Sequence, residues 1–553
     1  MLNEQPLNSG PLNALGGSGV QEIQPGAGFA WDVRVTLAGV DVSDSLTGLI
    51  RIERPEDGDS VASFALWLGP EPVNVAAYTG QPVVIDFVVD GSVTDRRFTG
   101  YLVQPEFDVL TRVLTCDATT RLQDGIEAME LDAIDQFVGG LWSPDVFGDV
   151  AGRSRWDYAQ ERLSTRRASL NVTRYGQPRI TSWYPALAFE FGPGSTVYES
   201  VDIGLAALSE TTNVIELELD YRYTRYRQRN TPYTWAHPAG SFAAWRADST
   251  ELPDVQMITD AVESAGWYVS SATWQRLPGD LPTLPQPWYN KNTDLLLGAS
   301  FTASIRWTQR AVEQYRIRLE IPQSVAAVGE VIRRERVVLD TDTDADRLWE
   351  QSREAVDFLD DYLPQRDPNR LASAMGVALA RGQAQLAAAN RRNLVSWQVP
   401  MAHALGVDLG QRLRLHDQGA DITGTLVTLV DELDTLSGAA LLTVVVAVSQ
   451  GPEGQVSDPL VVPAPPVFVD GPGSSVTSAL PTQLIKDPSS PPYDEELPGF
   501  AGAYSVGTWD PELRYPRRFA VPTPQIPEHW RNEAQAERTA TYAVAPPRDT
   551  LEI

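Results

Sequence analysis

Two stretches of this chain, more than three hundred residues apart, spell the same hairpin. Residues 80–105 read GQPVVIDFVVDGSVTDRRFTGYLVQP, and residues 410–429 read GQRLRLHDQGADITGTLVTL. Each opens on Gly-Gln, alternates apolar with polar residues, turns through a Gly-containing loop and returns on Thr-Gly-x-Leu-Val. Period-two alternation marks a strand with one buried face. A chain that writes such a pair twice is constrained to two similar β modules. Gly80 is expected to match Gly410, and Gly100 to match Gly424. The glycine-to-glycine interval is 20 residues in the first copy and 14 in the second. The excess therefore belongs in the loop-side part of the first hairpin, around VVDGSVTDRR (88–97), where insertions are best tolerated.

The text around each copy extends the modules. WDVRVTLAGVDV, LTGLIRIERP and SVASFALWLG precede the first hairpin and RVLTCDATTRL follows it, which suggests a small barrel or sandwich over 29–122. Residues 394–450 hold the second module, which earlier strands could complete. The middle region, 123–393, is mixed α/β. Its stretch 123–200 shows no assignable period. At 213–226 Ile215, Leu217, Leu219, Tyr221 and Tyr223 line one strand face opposite Glu216, Glu218, Asp220 and Arg222. A helix is expected over 254–265, behind Pro253 and ahead of Gly266; strands follow over 300–339, then helices over 344–363 and 368–393. Residues 1–28 repeat Pro-Leu-Asn and read either as an extended arm that docks on a neighbour or as a disordered tail. Residues 451–553 hold 18 of the 41 prolines and read as an extended segment without a core of its own. Both ends are expected to order only against neighbouring subunits or tail proteins. The fold class is thus α+β, mainly β: two similar small barrels flank a mixed middle region, with a proline-rich tail.

Composition narrows function by exclusion. With 553 residues, 42% of them hydrophobic, three or four domains are affordable. The net charge of −29 disfavours binding to nucleic acid. Cys116 is the lone cysteine, so a disulfide within the chain and a cysteine-held zinc or iron–sulfur site are excluded. No window approaches the ~20 apolar residues of a membrane span, and the first residues lack the basic start and apolar core of a secretion signal.

No catalytic, cofactor-binding or metal set emerges. DTDTDADRLWE (340–350) places Asp340, Asp342 and Asp344 like the first ligands of a calcium loop, but Ala345 stands where the sharp turn needs Gly and Gln351 where a closing Glu is needed. Helix capping explains the aspartates better. His237, His403, His416 and His529 are scattered, and PEDGD (55–59) reads as a solvated loop rather than a pair of glycosidase acids. Cys116 sits on an alternating strand and is expected to be packed, not reactive. RYTRYRQR (222–229) interleaves Arg and Tyr as single-strand binders do, but in so acidic a chain a sheet face or protein interface is the better expectation.

Taken in order, VRVTLAGVDVSDSLTGLIRIE, GQPVVIDF, FTGYLV, ASIRWTQRAVEQYRIRLEIPQSVAAVGE, LDTDTDADRLWE and VPMAHALGVDLGQRLRLHD, with GTLVTLVDELD, resemble the tailed-phage baseplate or tail-tip hub proteins over roughly residues 30–450. The opening PLNSGPLN is similar to that of long-tailed phage tail-tip proteins. The resemblance implies a structural virion protein at the tail tip, made in the host bacterial cytoplasm and acting in DNA ejection and host cell entry. It implies a homotrimer whose six barrels join a sixfold tail tube to a threefold tip. A tail tube or distal tail protein would lie on one side, and tip, spike or fibre proteins on the other. Tape measure protein and transiting DNA would pass through the lumen without specific binding, and there would be no stable membrane insertion. Neither cofactor nor enzymatic activity is expected. The alternatives are a tail-associated cell-wall-degrading enzyme and a receptor-binding carbohydrate module; the latter is suggested by the 15 tryptophans.

Overall fold

The computed structural model describes residues 20–23, 29–207, 211–248, 250–340, 366–449, 460–468, 476–485, 487, 489–503, 515–546 and 548–553. The expected helix at 344–363 and the acidic run from Thr341 to Glu350 lie outside them. Strand dominates the described residues.

A short β1 (Gln21–Ile23) precedes the strands of the first barrel: β2 (Trp31–Leu37), β3 (Val40–Asp41), β4 (Leu46–Pro55), β5 (Val61–Trp67), β6 (Pro82–Val89), β7 (Val93–Asp108) and β8 (Val113–Thr119). Their order is β4-β5-β8-β7-β6-β2-β3. Alternation decides the inside: Val33, Val35, Ile50, Ile52, Phe64, Leu66 and Ile85 share one core. Three short helices, Leu122–Glu127, Leu131–Val138 and Arg155–Leu163, then pack with the hairpin of β9 (Ala168–Val172) and β10 (Pro178–Ser182) around Ile126, Ile134, Tyr158 and Leu170, while a fourth, Pro144–Phe147, places Val146 against the core that holds Ile215. These elements are too short to show a period, which is why 123–200 is opaque in the sequence.

β11 (Leu187–Phe191) and β12 (Asp202–Gly204) come from the stretch expected to belong to the middle region, yet they pair into the second sheet. Between them and the rest of that sheet stands an insertion built on two very long strands. β13 (Val214–Ala236) pairs antiparallel with β15 (Leu296–Glu320) along its whole length, from Val214 opposite Glu320 to Ala236 opposite Gly298. At ~3.3 Å per residue this ribbon spans roughly 75 Å. One core sits at each end. The helix Pro368–Ala389 covers Ile215, Leu217, Leu219, Tyr221 and Ile317 at one end. The helix Val255–Ser264, capped by Asp254, packs with Trp235, Trp267 and Phe301 at the other. β14 (Tyr268–Arg276) flanks β15, and β16 (Ile332–Asp340) flanks β13.

The second barrel finishes with β17 (Asn393–Pro400), β18 (Arg412–Asp417), β19 (Ala420–Asp434) and β20 (Ala439–Val448). Its strands run β12-β17-β20-β19-β18-β11-β1. Leaving out β3 and β1 and numbering the remaining six strands of each module in chain order, both barrels run 2-3-6-5-4-1. The insertion enters between the second and third strands. One departure is clear: β11 runs parallel to β18, whereas β2 runs antiparallel to β6.

The proline-rich tail corrects the sequence expectation. β21 (Ser478–Leu480) adds to β13, β22 (Thr482–Leu484), β23 (Gly499–Gly502) and β24 (Arg518–Ala520) form a small sheet, β25 (Ala534–Ala543) adds to β15, and β26 (Leu551–Glu552) adds to β19. Leu480, Phe500, Phe519 and Ile526 fill one end of the ribbon, Val544 the other, and Leu551 packs on the second barrel. The segment has no core of its own, but its described parts order against this same chain. These short strands complete edges that β13, β15 and β19 leave open.

Candidate functional site: the duplicated barrels and their joint

The two hairpins share one register. Val83 lies opposite Gly100 and Leu413 opposite Gly424, each three residues after a glycine with positive φ, +80° at Gly80 and +78° at Gly410. Both return strands then bulge at the same place, between Leu102 and Gln104 in one copy and between Leu426 and Thr428 in the other. Continuing the match, Phe64 corresponds to Trp397, Leu114 to Leu442, Cys116 to Val444 and Ala118 to Val446, all buried. Gly100 and Gly424 are glycines for one reason. A Cβ would lie 2.6 Å from the Thr119 carbonyl oxygen in the first barrel and 2.8 Å from that of Ala447 in the second. Beyond the pairs Ile85–Phe98 and Leu415–Ile422, the hairpins hold residues 86–97 and 416–421. The whole excess of the first copy is therefore at its loop end.

That excess includes a bulge that leaves Arg97 unpaired in the ladder, and its side chain joins the two barrels. β4 pairs with the far half of β19, Leu49 opposite Asp434 through Pro55 opposite Thr428, so both barrels share one continuous sheet. Beneath this seam Arg97, fully buried, donates from Nε (2.9 Å) and Nη2 (2.6 Å) to Asp431, also fully buried. Arg97 Nη1 reaches Asp95, which also accepts from Arg174 at 2.7 Å. Buried Arg54 donates to Asp408 at 3.0 Å and lies 3.7 Å from Asp431; Arg179 donates to Asp408 at 2.9 Å. Four guanidinium groups thus meet three carboxylates. Burial opposes the charge of Asp408, but Arg54, Arg174 and Arg179 hold its carboxyl down at about 2. Asp431 is lowered too: Arg97 and Arg54 outweigh its burial. Burial brings Arg54 down to about 10 against the pull of Asp431. Nothing in the sequence reading picked out these residues. Their signal is a charged residue at an inward strand position, Arg54 after Ile50 and Ile52, and Asp431 among apolar neighbours.

The residues weighed for chemistry are not brought together. His237 is buried, 2.6 Å from the Thr250 hydroxyl; His416 is 3.9 Å from Asp421; His529 meets Trp530 edge-on. PEDGD is not a solvated loop. Arg391 draws the Glu56 carboxylate inward at 3.0 and 3.2 Å, and Asp59 accepts from Thr120 Oγ1 and the Leu122 amide. Residues 222–229 lie along β13 in register with β15, a sheet position. Glu313 forms a carboxylate cluster absent from the sequence reading: Tyr223 and Tyr315 donate to it, and Arg366 binds both its oxygens. All four of its partner bonds are internal, and the set ties the start of the long helix to the ribbon. A cleft lined by Leu205, Ser324, Val328, Asn390 and Arg392 contains no Asp, Glu, His or Cys in its wall. Among the described residues no group of three or more His, Cys, Asp or Glu is placed to hold a metal ion.

Cys116 takes the place that Val444 takes in the other barrel, and burial, with Asp117 beside it, pushes its thiol up to about 12. Cys116→Val is expected to change unfolding free energy by less than about 1.5 kcal/mol. A larger loss in denaturant titration would show that the thiol has a role that valine cannot supply.

The sequence matches no protein-family model and no curated protein sequence. Solved structures do match. The fold is similar to the tail protein from Neisseria meningitidis MC58, at 10% identity and a TM-score of 0.38, over 75% of this chain and 96% of that one. It is similar to the 43 kDa tail protein of prophage MuSo2 from Shewanella oneidensis, at 12% identity and 0.33, over 76% and 97%. Its structural neighbours are phage tail proteins. They extend to an Escherichia coli type VI secretion component described as structurally similar to T4 bacteriophage tail proteins, at 5% identity and 0.28, over 75% and 77%. Identities and scores this low carry no residue role from those proteins to this one.

Proposed function

We propose that the chain is the central hub of a phage tail tip or baseplate. Three copies, each with two barrels, make six near-equivalent units that seat against a sixfold tail tube or distal tail protein. The other face offers threefold symmetry to tip, spike or fibre proteins. The observation that carries this reading is the shared register of the two barrels, down to their bulges and glycines. One chain with two matched units and a threefold axis is the economical way to present six. The net charge of −29 suits the wall of a conduit, where it repels passing DNA and keeps tape measure protein and DNA from sticking.

Light scattering of the purified chain is expected to give three times the chain mass, and a map of the particle to show the barrels alternating at about sixty degrees around one ring. A monomer, or barrels at two different radii, would overturn the hub reading. Turnover of purified cell wall by the chain would favour the enzyme instead.

A further inference from the structure

The second duplicated feature is a hairpin tip. β7 turns into β8 through Asp108-Val-Leu-Thr-Arg112, and β19 turns into β20 through Asp434-Thr-Leu-Ser-Gly438. The two turns are built alike. The Leu110 amide donates to Asp108 Oδ1 at 2.8 Å, and the Leu436 amide to Asp434 Oδ1 at 2.9 Å. The fifth residue, Arg112 or Gly438, closes the turn on the aspartate carbonyl at 2.9 Å with positive φ, +62° or +74°. At each crown stands a bare leucine, Leu110 at 94% exposure and Leu436 at 81%. A turn of this frame needs the aspartate and the left-handed fifth residue; it does not need leucine at the third position.

Both tips lie at one end of the shared sheet. Asp434 pairs with Leu49 on β4, Leu46 of β4 pairs with Leu66 on β5, and Trp67 of β5 pairs with Val113, itself opposite Asp108. Thr435 Oγ1 also donates to the Gly48 carbonyl at 3.1 Å. Along the sheet the crowns are separated by four strand spacings or fewer, roughly 15–20 Å. Leu49 and Trp67, each at least half exposed, lie between them.

We propose that the two crowns are matched plugs that enter identical apolar sockets on a ring of identical subunits, two sockets for each copy of this chain. The inference rests on the hub reading and specifies how the hub grips the tube. In barrel register the counterpart of Asp108 is Glu432, so the second hairpin carries its crown two residues farther out; the same side chain on the same turn, presented twice, fits a partner that presents the same socket twice. That is a homo-oligomer, not a single peptide. Glu432, Asp434 and Asp108 flank the crowns, so an anionic membrane surface is a poor occupant.

The test uses the full-length chain and tail tubes recovered from the same virion. Leu110→Asp, Leu436→Asp and the double variant are compared with Tyr289→Asp, an exposed site in the insertion. Each plug variant is expected to keep the wild-type mass and melting temperature while co-sedimenting with tubes about tenfold less, and the double variant about a hundredfold less. Wild-type co-sedimentation by the double variant would overturn the proposal. So would loss of the trimer, which would make the crowns contacts between copies of this chain, or an effect from one crown alone. Wild-type chain that forms no trimer and binds no tubes would overturn the hub reading, and the plugs with it.

Discussion

Asp431→Ala is expected to destabilise the chain by about 3–5 kcal/mol, a large fraction of the stability of a typical domain. Asp431 is the carboxylate that Arg97 grips with two nitrogens and that Arg54 faces at 3.7 Å, all three fully or almost fully buried. Removing it leaves Arg97 with Asp95 alone and Arg54 with Asp408 alone beneath the seam, where water cannot replace the lost acceptor. Asp434→Ala, three residues on along β19 and only half-buried at the turn, should cost far less. Equal losses in denaturant titrations of the two variants would refute the idea that the seam depends on this charge. The same network sets an acid limit. The folded carboxyl of Asp408 titrates at about 2, below its ordinary value near 3.8. Its contribution is therefore complete above about pH 4 and is lost as pH falls towards 2. Asp431 is shifted in the same direction. Stability measured from pH 6 downward should fall over that window, and Asp408→Asn should flatten the fall.

Gly100→Ala and Gly424→Ala should each cost about 1–3 kcal/mol, and by similar amounts. The obstacle in both barrels is a backbone carbonyl oxygen on the partner strand, at 2.6 and 2.8 Å from the added carbon, and a strand cannot step aside as a side-chain tip can. Gly279→Ala, with nothing within 4 Å, is the control and should stay within about 0.5 kcal/mol. A harmless Gly424→Ala beside a damaging Gly100→Ala would mean that the barrels match in register but not in packing.

The echo of these glycines was legible because a strand pair with one buried face leaves a period of two, and because a close approach between strands leaves a glycine. Ile215 to Tyr223 and the helix behind Pro253 were legible for the same kind of reason. The seam was not. Arg54 continues the inward face of Ile50 and Ile52, and Arg97 stands at a bulge, but nothing in the sequence pairs them with Asp408 and Asp431, which lie in the other barrel. The tail strands were hidden by their prolines. β21, β25 and β26 find their pairing partners on β13, β15 and β19, so their own text carries too little pattern to announce a strand. Nothing in the sequence singles out Leu110 and Leu436, since exposure is a property of the assembled fold.

The seam also sets a timetable. The first barrel's own strands are complete once Thr119 has been made, but β4 waits for its neighbour until β19 emerges, about 300 residues later. At ~5–20 residues per second, a ribosome needs roughly 15–60 s to supply it. Throughout that interval Arg54 and Arg97 have no Asp431 to meet. A chain that stops before β19 keeps an open edge on β4, leaves Arg54 without Asp408 and Asp431, and leaves Arg97 with Asp95 alone. The joint therefore ties completion of the first barrel's edge to synthesis of the second barrel.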